Sequence, residues 1–286
     1  MIEPSIRELI ASDGYRLKFR HWAPEHPRGT VIALHGIQSH SGWYDYSSRR
    51  LADAGFAVYF PDRRGSGLNG FQRGHAAHAM RLVNDVRALR TLAINETDSS
   101  PEKSNAHLPI TILGISWGGK LAAVLAALFP QEFDRLALLY PGLVAKIRPT
   151  RSQLLRLNLA RTFEIVKHHI PIPLDNPALF TQVPEWQQFI SHDPLALHAV
   201  SSSFLNAGRD LDRELTTHCA KILQPTLLML AENDSIIDNV AVRRIVSQFG
   251  THQLTTQVYQ GAQHTLEFEP NREIVVDDLI AWLSAN

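Results

Sequence analysis

ITILGISWGGK, residues 110–120, reads as a strand, a sharp turn and the start of a helix. Ile110, Thr111, Ile112 and Leu113 are β-branched or apolar, in a run too short and too closely bounded by turn formers to be a helix. Beyond Gly118 and Gly119 the pattern becomes KLAAVLAALF, strong helix formers without glycine or proline. Ser116 lies at the junction, and Gly114-Ile115-Ser116-Trp117-Gly118 matches G-x-S-x-G. In that turn the serine takes a strained backbone conformation while the glycines let strand and helix approach closely. The hydroxyl is thereby lifted to the C-terminal edge of a sheet, with the first helix amides aimed at it. A glycine-flanked serine in an ordinary turn has the same letters; strand before and helix after are the context the chemistry demands.

Outward from this centre, strands and helices alternate. Residues 6–10 and 15–22 are short, partly alternating runs joined by Ser12-Asp13-Gly14, a hairpin signal, and read as an antiparallel edge. TVIALHG, FAVYFPD, Leu136 to Tyr140 and PTLLMLA are continuous apolar runs, as strands buried on both faces of a parallel sheet require; QLTTQVYQ is a further strand. Helices are expected near 43–54, over 76–94 with Met80, Val83, Val86, Leu89 and Leu92 on the apolar face, near 239–249 and over 271–284. ETDSSPEKSNAH reads as an exposed, mobile loop. From about 143 to 215 the rhythm breaks, with no clear strand, a helix in LLRLNLARTFEIVKHHI, and prolines in PIPLDNP, QVPEW and HDP. The expected fold is α/β, a mostly parallel central sheet flanked by helices, with a core of residues 1–142 and 216–286 and a helical cap inserted over 143–215.

Ligands in such sheets bind at the C-terminal ends of strands, so each reacting group should lie just after one. A serine hydroxyl is a poor nucleophile and needs a base within hydrogen-bond reach. Of the fourteen histidines, His35 and His264 directly follow expected buried strands. His264, in the loop Gly261-Ala262-Gln263-His264 after the last strand, is the candidate base; His35 reads as an internal histidine hydrogen-bonded to backbone. Asp234, after PTLLMLAEN, is the candidate acid that orients the imidazole. Its rival Asp238 fits a helix cap instead. Two donors must face a developing oxyanion, and the backbone N–H groups of Ile37 and Trp117 are the candidates.

Composition removes several other classes. With 28 Lys and Arg against 28 Asp and Glu, no charge excess points to nucleic acid or an anionic membrane. At 286 residues and 44% apolar content the chain can bury a large core as one domain. MIEPSIRELI lacks a signal-peptide pattern and no stretch has the length and apolarity of a membrane span, so no integral membrane segment is expected and a soluble cytoplasmic protein is. Cys219 stands alone, so an intrachain disulfide is impossible. Gly65-Ser66-Gly67-Leu68-Asn69-Gly70 satisfies G-x-G-x-x-G, but no helix opens directly on it and no dinucleotide is expected. Arg63, Arg64 and Arg73 around it read as solvated arginines that tie the turns together. His75, His78, His168 and His169 lack metal-ligand spacing, so neither metal nor cofactor is expected. Leu154, Leu155, Leu157, Leu159, Phe163, Ile165 and Val166 read mainly as the cap's own core, with some lining an apolar acyl site.

With these residues in view, the sequence resembles the α/β-hydrolase superfamily, and within it the branch of monoacylglycerol lipases, lysophospholipases and serine-aminopeptidase-like hydrolases. The likeness is carried by LHGIQSHSGWY at 34–44, PDRRGSGLNGFQRGH at 61–75, GISWGG at 114–119, HDPL at 192–195, AENDSIID at 231–238 and GAQHTLE at 261–267, in order over nearly the whole chain. Ser116, Asp234, His264 is also the serine, acid, histidine order of that superfamily. The resemblance implies hydrolysis of ester-like bonds under a helical cap, with a small ester substrate carrying an apolar acyl part. A thioesterase, lactonase or peptidase would use the same triad, and a non-catalytic ligand-binding member of the fold would keep it. Two departures stand out: Gly65-Ser66-Gly67-Leu68-Asn69 replaces G-H-G-x-S, and Ile115 and Trp117 flank the serine where His and Met are usual. Trp117 is therefore expected at the pocket wall.

Overall fold

The computed structural model describes residues 2–98, 108–146 and 169–285. Its strands are β1 (Ser5–Ile10), β2 (Arg16–Trp22), β3 (Gly29–Leu34), β4 (Phe56–Pro61), β5 (Ile110–Ile115), β6 (Arg135–Leu139), β7 (His169–Pro171), β8 (Ala199–Ser201), β9 (Thr226–Ala231) and β10 (Leu254–Tyr259). Its α-helices are α1 (Asp45–Asp53), α2 (Ala79–Asp98), α3 (Trp117–Leu128), α4 (Pro184–His192), α5 (Ser202–His218), α6 (Asn239–Val246) and α7 (Arg272–Ala285). One sheet of eight strands runs β1-β2-β4-β3-β5-β6-β9-β10. The β1–β2 and β2–β4 pairs are antiparallel and the others parallel, so the hairpin forms the expected antiparallel edge.

Burial follows from the connections. Crossover helices cover both faces of the parallel strands, and every residue of β3, β4, β5 and β9 is buried. β10 closes the sheet and is exposed up to Tyr259. After β3 the chain steps to one side to make β4, then returns across β3 to make β5. The connections diverge between β3 and β5, and the crevice at their C-terminal ends is where such a sheet accepts a ligand. Ser116 follows β5, and His35 and Gly36 follow β3.

Two expectations need correction. A strand pair does lie within 143–215: β7 and β8 form a two-stranded antiparallel sheet, His169 opposite Ser201 and Pro171 opposite Ala199. Three residues are too few for alternation to show, and their pairing is made across a long sequence separation. On α2, Leu82, Val83, Val86 and Leu89 are buried and Leu92 partly so, but Met80 at the first turn is exposed. Helix α5 is capped by Ser201, whose hydroxyl accepts from the Phe204 N–H at 3.1 Å, and runs on to His218, packing against α3 and α2. The leucine-rich stretch 154–166 and most of the loop after α2 lie outside the described residues.

A buried histidine anchors the hairpin. His21 stacks on Tyr59 at 4.1 Å and accepts from Arg7 Nη1 at 3.0 Å through Nδ1, while Arg7 Nη1 also donates to Glu96 at 2.8 Å. Burial, helped by the Arg7 charge, pushes the imidazole down to about 4, so it is neutral in the fold. The unfolded chain takes up this proton near 6.5 and the folded chain only near 4, so acidification through that window removes stability. The contribution is on the order of 3 kcal/mol. Urea unfolding at pH 7 and pH 4.5 should show His21→Leu losing less stability on acidification than the parent; equal losses in both proteins would contradict this account.

Candidate active site

Ser116 sits between β5 and α3 at φ 50°, ψ −122°, a region that a residue with a Cβ adopts only when its surroundings force it. The surroundings are backbone. A Cβ on Gly118 would come within 2.1 Å of the Leu34 carbonyl oxygen, and one on Gly114 within 2.5 Å of the Gly119 Cα. Helix and strand therefore meet closer than any side chain permits, and the serine between them is turned outward. Its carbonyl accepts from the N–H groups of Gly119 at 2.8 Å and Gly142 at 2.6 Å, which lock the turn.

The three residues proposed from separate strand ends come together. His264 Nδ1 lies 2.7 Å from Asp234 Oδ2, and His264 Nε2 lies 3.0 Å from Ser116 Oγ. Asp234 and His264 are buried and Ser116 is half-buried. Asp234 Oδ1 accepts from the N–H groups of Ile236 and Ile237, each at 2.8 Å, which orients the carboxylate. With Oδ2 accepting from Nδ1–H, the Nε2 lone pair is left facing the serine hydroxyl. Asp238 instead caps α6, accepting from the Ala241 N–H at 3.0 Å. The imidazole packs edge-on to Tyr140 at 4.8 Å and Phe180 at 6.0 Å. Phe180 is itself fixed, since its carbonyl accepts from the Thr265 N–H at 2.8 Å.

The loop after β3 lies against the serine: a Cβ on Gly36 would be 3.3 Å from Ser116 Cβ. His35 is buried beneath it, donating from Nδ1 to the Gly36 carbonyl at 2.8 Å and accepting from the Arg63 N–H at 2.8 Å. Burial, with Arg63 beside it, holds this imidazole well below its usual range and keeps it neutral. Ile37 follows on the same loop, and Trp117, as the first residue of α3, has an N–H that points out of the helix start. The Trp117 indole is pinned: it stacks on Phe204 of α5 at 4.9 Å and lies over Gly208 of the same helix.

Several contributors had no sequence signal. Arg63 and Arg64, expected to be solvated, are buried; they do tie turns, but from inside, Arg64 pairing with Asp85 and Asp13. Asp193 of the HDPL stretch accepts from His40 Nε2 at 3.0 Å and Trp43 Nε1 at 2.6 Å, which joins 184–197 to the loop after β3. Glu267, three residues past His264, is buried with Oε1 accepting from the Ser47 N–H at 3.0 Å. Only long-range packing brings these partners together.

The strained serine, the imidazole and carboxylate behind it, and the sheet that presents them define a serine hydrolase of the α/β-hydrolase fold. The chain belongs to the family described as serine aminopeptidase, S33, which matches residues 25–271. It is 26% identical over 274 residues to a monoacylglycerol lipase of Mycolicibacterium smegmatis, covering 94% of this chain and 93% of that protein. It is likewise 26% identical over 285 residues to the monoglyceride lipase of Homo sapiens, covering 96% and 89%. A soluble variant of the monoglyceride lipase from Saccharomyces cerevisiae, solved with a substrate analogue, superposes with a TM-score of 0.84 at 18% identity, over 99% of this chain and 95% of that one, and shares the fold.

Burial pushes the Glu267 carboxyl up to about 7 from 4.5. The unfolded chain gives up this proton first as pH rises from 4.5 to 7, so ionisation in the fold costs stability, on the order of 3 kcal/mol once complete. Glu267→Gln keeps the acceptor for Ser47 and removes the charge. Its stability relative to the parent should rise between pH 5 and pH 8 in denaturant titrations; a pH-independent difference would refute the assignment.

Proposed function

We propose that the chain hydrolyses carboxylic esters of the monoacylglycerol type through an acyl-enzyme on Ser116. The carrying observation is the contact series Asp234 Oδ2, His264 Nδ1, His264 Nε2, Ser116 Oγ at 2.7 and 3.0 Å. Ser116 Oγ attacks the ester carbonyl as His264 Nε2 takes its proton, and Asp234 stabilises the imidazolium. The Ile37 and Trp117 N–H groups receive the negative charge of the tetrahedral intermediate. His264 then protonates the leaving alcohol, and water releases the acyl group by the same steps.

The substrate class rests on the relatives and on the surroundings of the site. Tyr140, Phe180 and Trp117 give the reacting groups aromatic neighbours, which suit an apolar acyl part. Residues 143–215 act in this reading as a cap over the crevice, and the link from Asp193 to His40 and Trp43 supports that role. No helix among the described residues is long and apolar enough to cross a membrane. A cytoplasmic location stays the default reading, and the lone Cys219 gives an oxidising compartment no support.

A fluorophosphonate should label the protein stoichiometrically at Ser116. Hydrolysis of monoacylglycerols should exceed that of lysophospholipids, thioesters and aminoacyl arylamides in a panel of graded acyl lengths. Ser116→Ala should lower kcat by several orders of magnitude, and Asp234→Asn, which reverses the imidazole tautomer, by about 10⁴. Retained turnover in Ser116→Ala would end the proposal; labelling without turnover on any ester would favour a ligand-binding protein.

A further inference from the structure

Arg63 is a buried cation whose desolvation the charge of buried Asp62 offsets only in part. Its guanidinium is buried, and among the described residues no carboxylate lies within ion-pair distance of it. Neighbouring Asp62 is engaged elsewhere, accepting from Ser41 N–H at 2.7 Å and Leu68 N–H at 2.7 Å and facing Arg20 at 3.7 Å. Desolvating a guanidinium costs several kcal/mol that an ion pair would ordinarily offset. Burial pulls its pKa down to about 9, which leaves it charged at neutral pH.

Its hydrogen bonds go to the loop beside the serine. Nη1 donates to the Gly36 carbonyl at 3.1 Å, and Nη2 to the Ile37 carbonyl at 2.9 Å and to Ser66 Oγ at 2.9 Å; Nε has no hydrogen-bond partner among the described residues. The same guanidinium lies 4.8 Å from the ring centres of Trp117 and of Phe204. One side chain thus touches both residues whose N–H groups are proposed to receive the oxyanion. In a trans peptide the C=O and the following N–H point in opposite directions, and no peptide among the described residues is cis. A Gly36 carbonyl drawn toward Arg63 and His35 therefore sends the Ile37 N–H away from Arg63, on a segment whose Gly36 lies against Ser116.

We propose that Arg63 is a positioning residue of the oxyanion hole, aiming and polarising the peptide that carries the Ile37 N–H while its stack with Trp117 and Phe204 ties the hole to α5. The inference rests on the reading of Ser116 as the nucleophile. A cation hydrogen-bonded to a peptide oxygen makes that peptide's N–H a stronger donor, and in a dry site the effect is little screened. A cation that makes no ion pair among the described residues has a counterpart in the reaction, since the tetrahedral intermediate brings a negative charge to the far side of the same peptide. Arg63 thereby favours the charged intermediate over the neutral ester, which places its effect in kcat.

The experiment compares Arg63→Gln and Arg63→Lys with the parent. A 4-nitrophenyl ester measures turnover. An alkyl trifluoromethyl ketone, whose adduct with Ser116 carries an oxyanion, measures transition-state binding, and the matching methyl ketone measures ground-state binding. For Arg63→Gln, kcat should fall about 10²-fold and trifluoromethyl ketone affinity by a similar factor, with KM and methyl ketone affinity within about threefold. Arg63→Lys keeps the charge but cannot fork between two carbonyls and stack, and should lose about 10-fold in the same two readouts. Either variant with kcat within about threefold of the parent, or with both ketones weakened equally, overturns the inference as mere packing. If Arg63→Gln lacks a cooperative thermal transition, Arg63→Lys decides. Fluorophosphonate labelling of the parent comes first: its absence from Ser116 fails the catalytic reading itself, whereas labelling there with unchanged Arg63 variants fails only this inference.

Discussion

The close approach of β5, α3 and β3 around Ser116 is the constraint on which the site depends. Three backbone segments converge where no side chain fits, and the serine absorbs the mismatch at φ 50°. Such a conformation costs about 1–3 kcal/mol and persists only where packing over-determines it. Here the packing comes from fully buried strands on either side and from the amides of Gly119 and Gly142 holding the serine carbonyl. The strain turns the hydroxyl outward and frees the first amide of α3 at the same point. The proposed nucleophile and the proposed oxyanion donor are two results of one turn.

Around that turn the fold distributes its buried charges unevenly. Asp234 is satisfied by two amides and an imidazole, and Arg64 by two carboxylates. Arg63 and Glu267 are buried and make no ion pair among the described residues; Glu267 lies three residues past His264, and Arg63 against the Gly36 and Ile37 carbonyls. Natural folds violate local rules chiefly where function requires it. The loop after β3 is the common element: His35 and Arg63 hold it from below, Asp193 from the side through His40, and Leu197 donates to the Gln38 carbonyl at 2.8 Å. The segment 180–197 is therefore fastened to both the His264 loop and the loop after β3, and its position is coupled to both.

Much of this could be read in the chain. G-x-S-x-G with a buried strand before it and a helix after it determined the turn, because only that context forces the serine outward. Continuous apolar runs determined the parallel strands, because strands covered on both faces have no polar side to show. Asp234 and His264 followed from one rule, that reacting groups gather at strand C-termini. What the chain alone left open is what depends on pairing across distance: the short β7–β8 sheet, the exposure of Met80, the burial of Arg63 and Arg64, and the meeting of Asp193 with His40 and Trp43. A loop arginine has the same local sequence whether it is solvated or buried, so only the tertiary packing of α5 and the loop after β3 decided that Arg63 lies dry between two carbonyls and two aromatic rings. Local propensity and periodicity are properties of neighbours in sequence, whereas burial and charge compensation belong to neighbours in space.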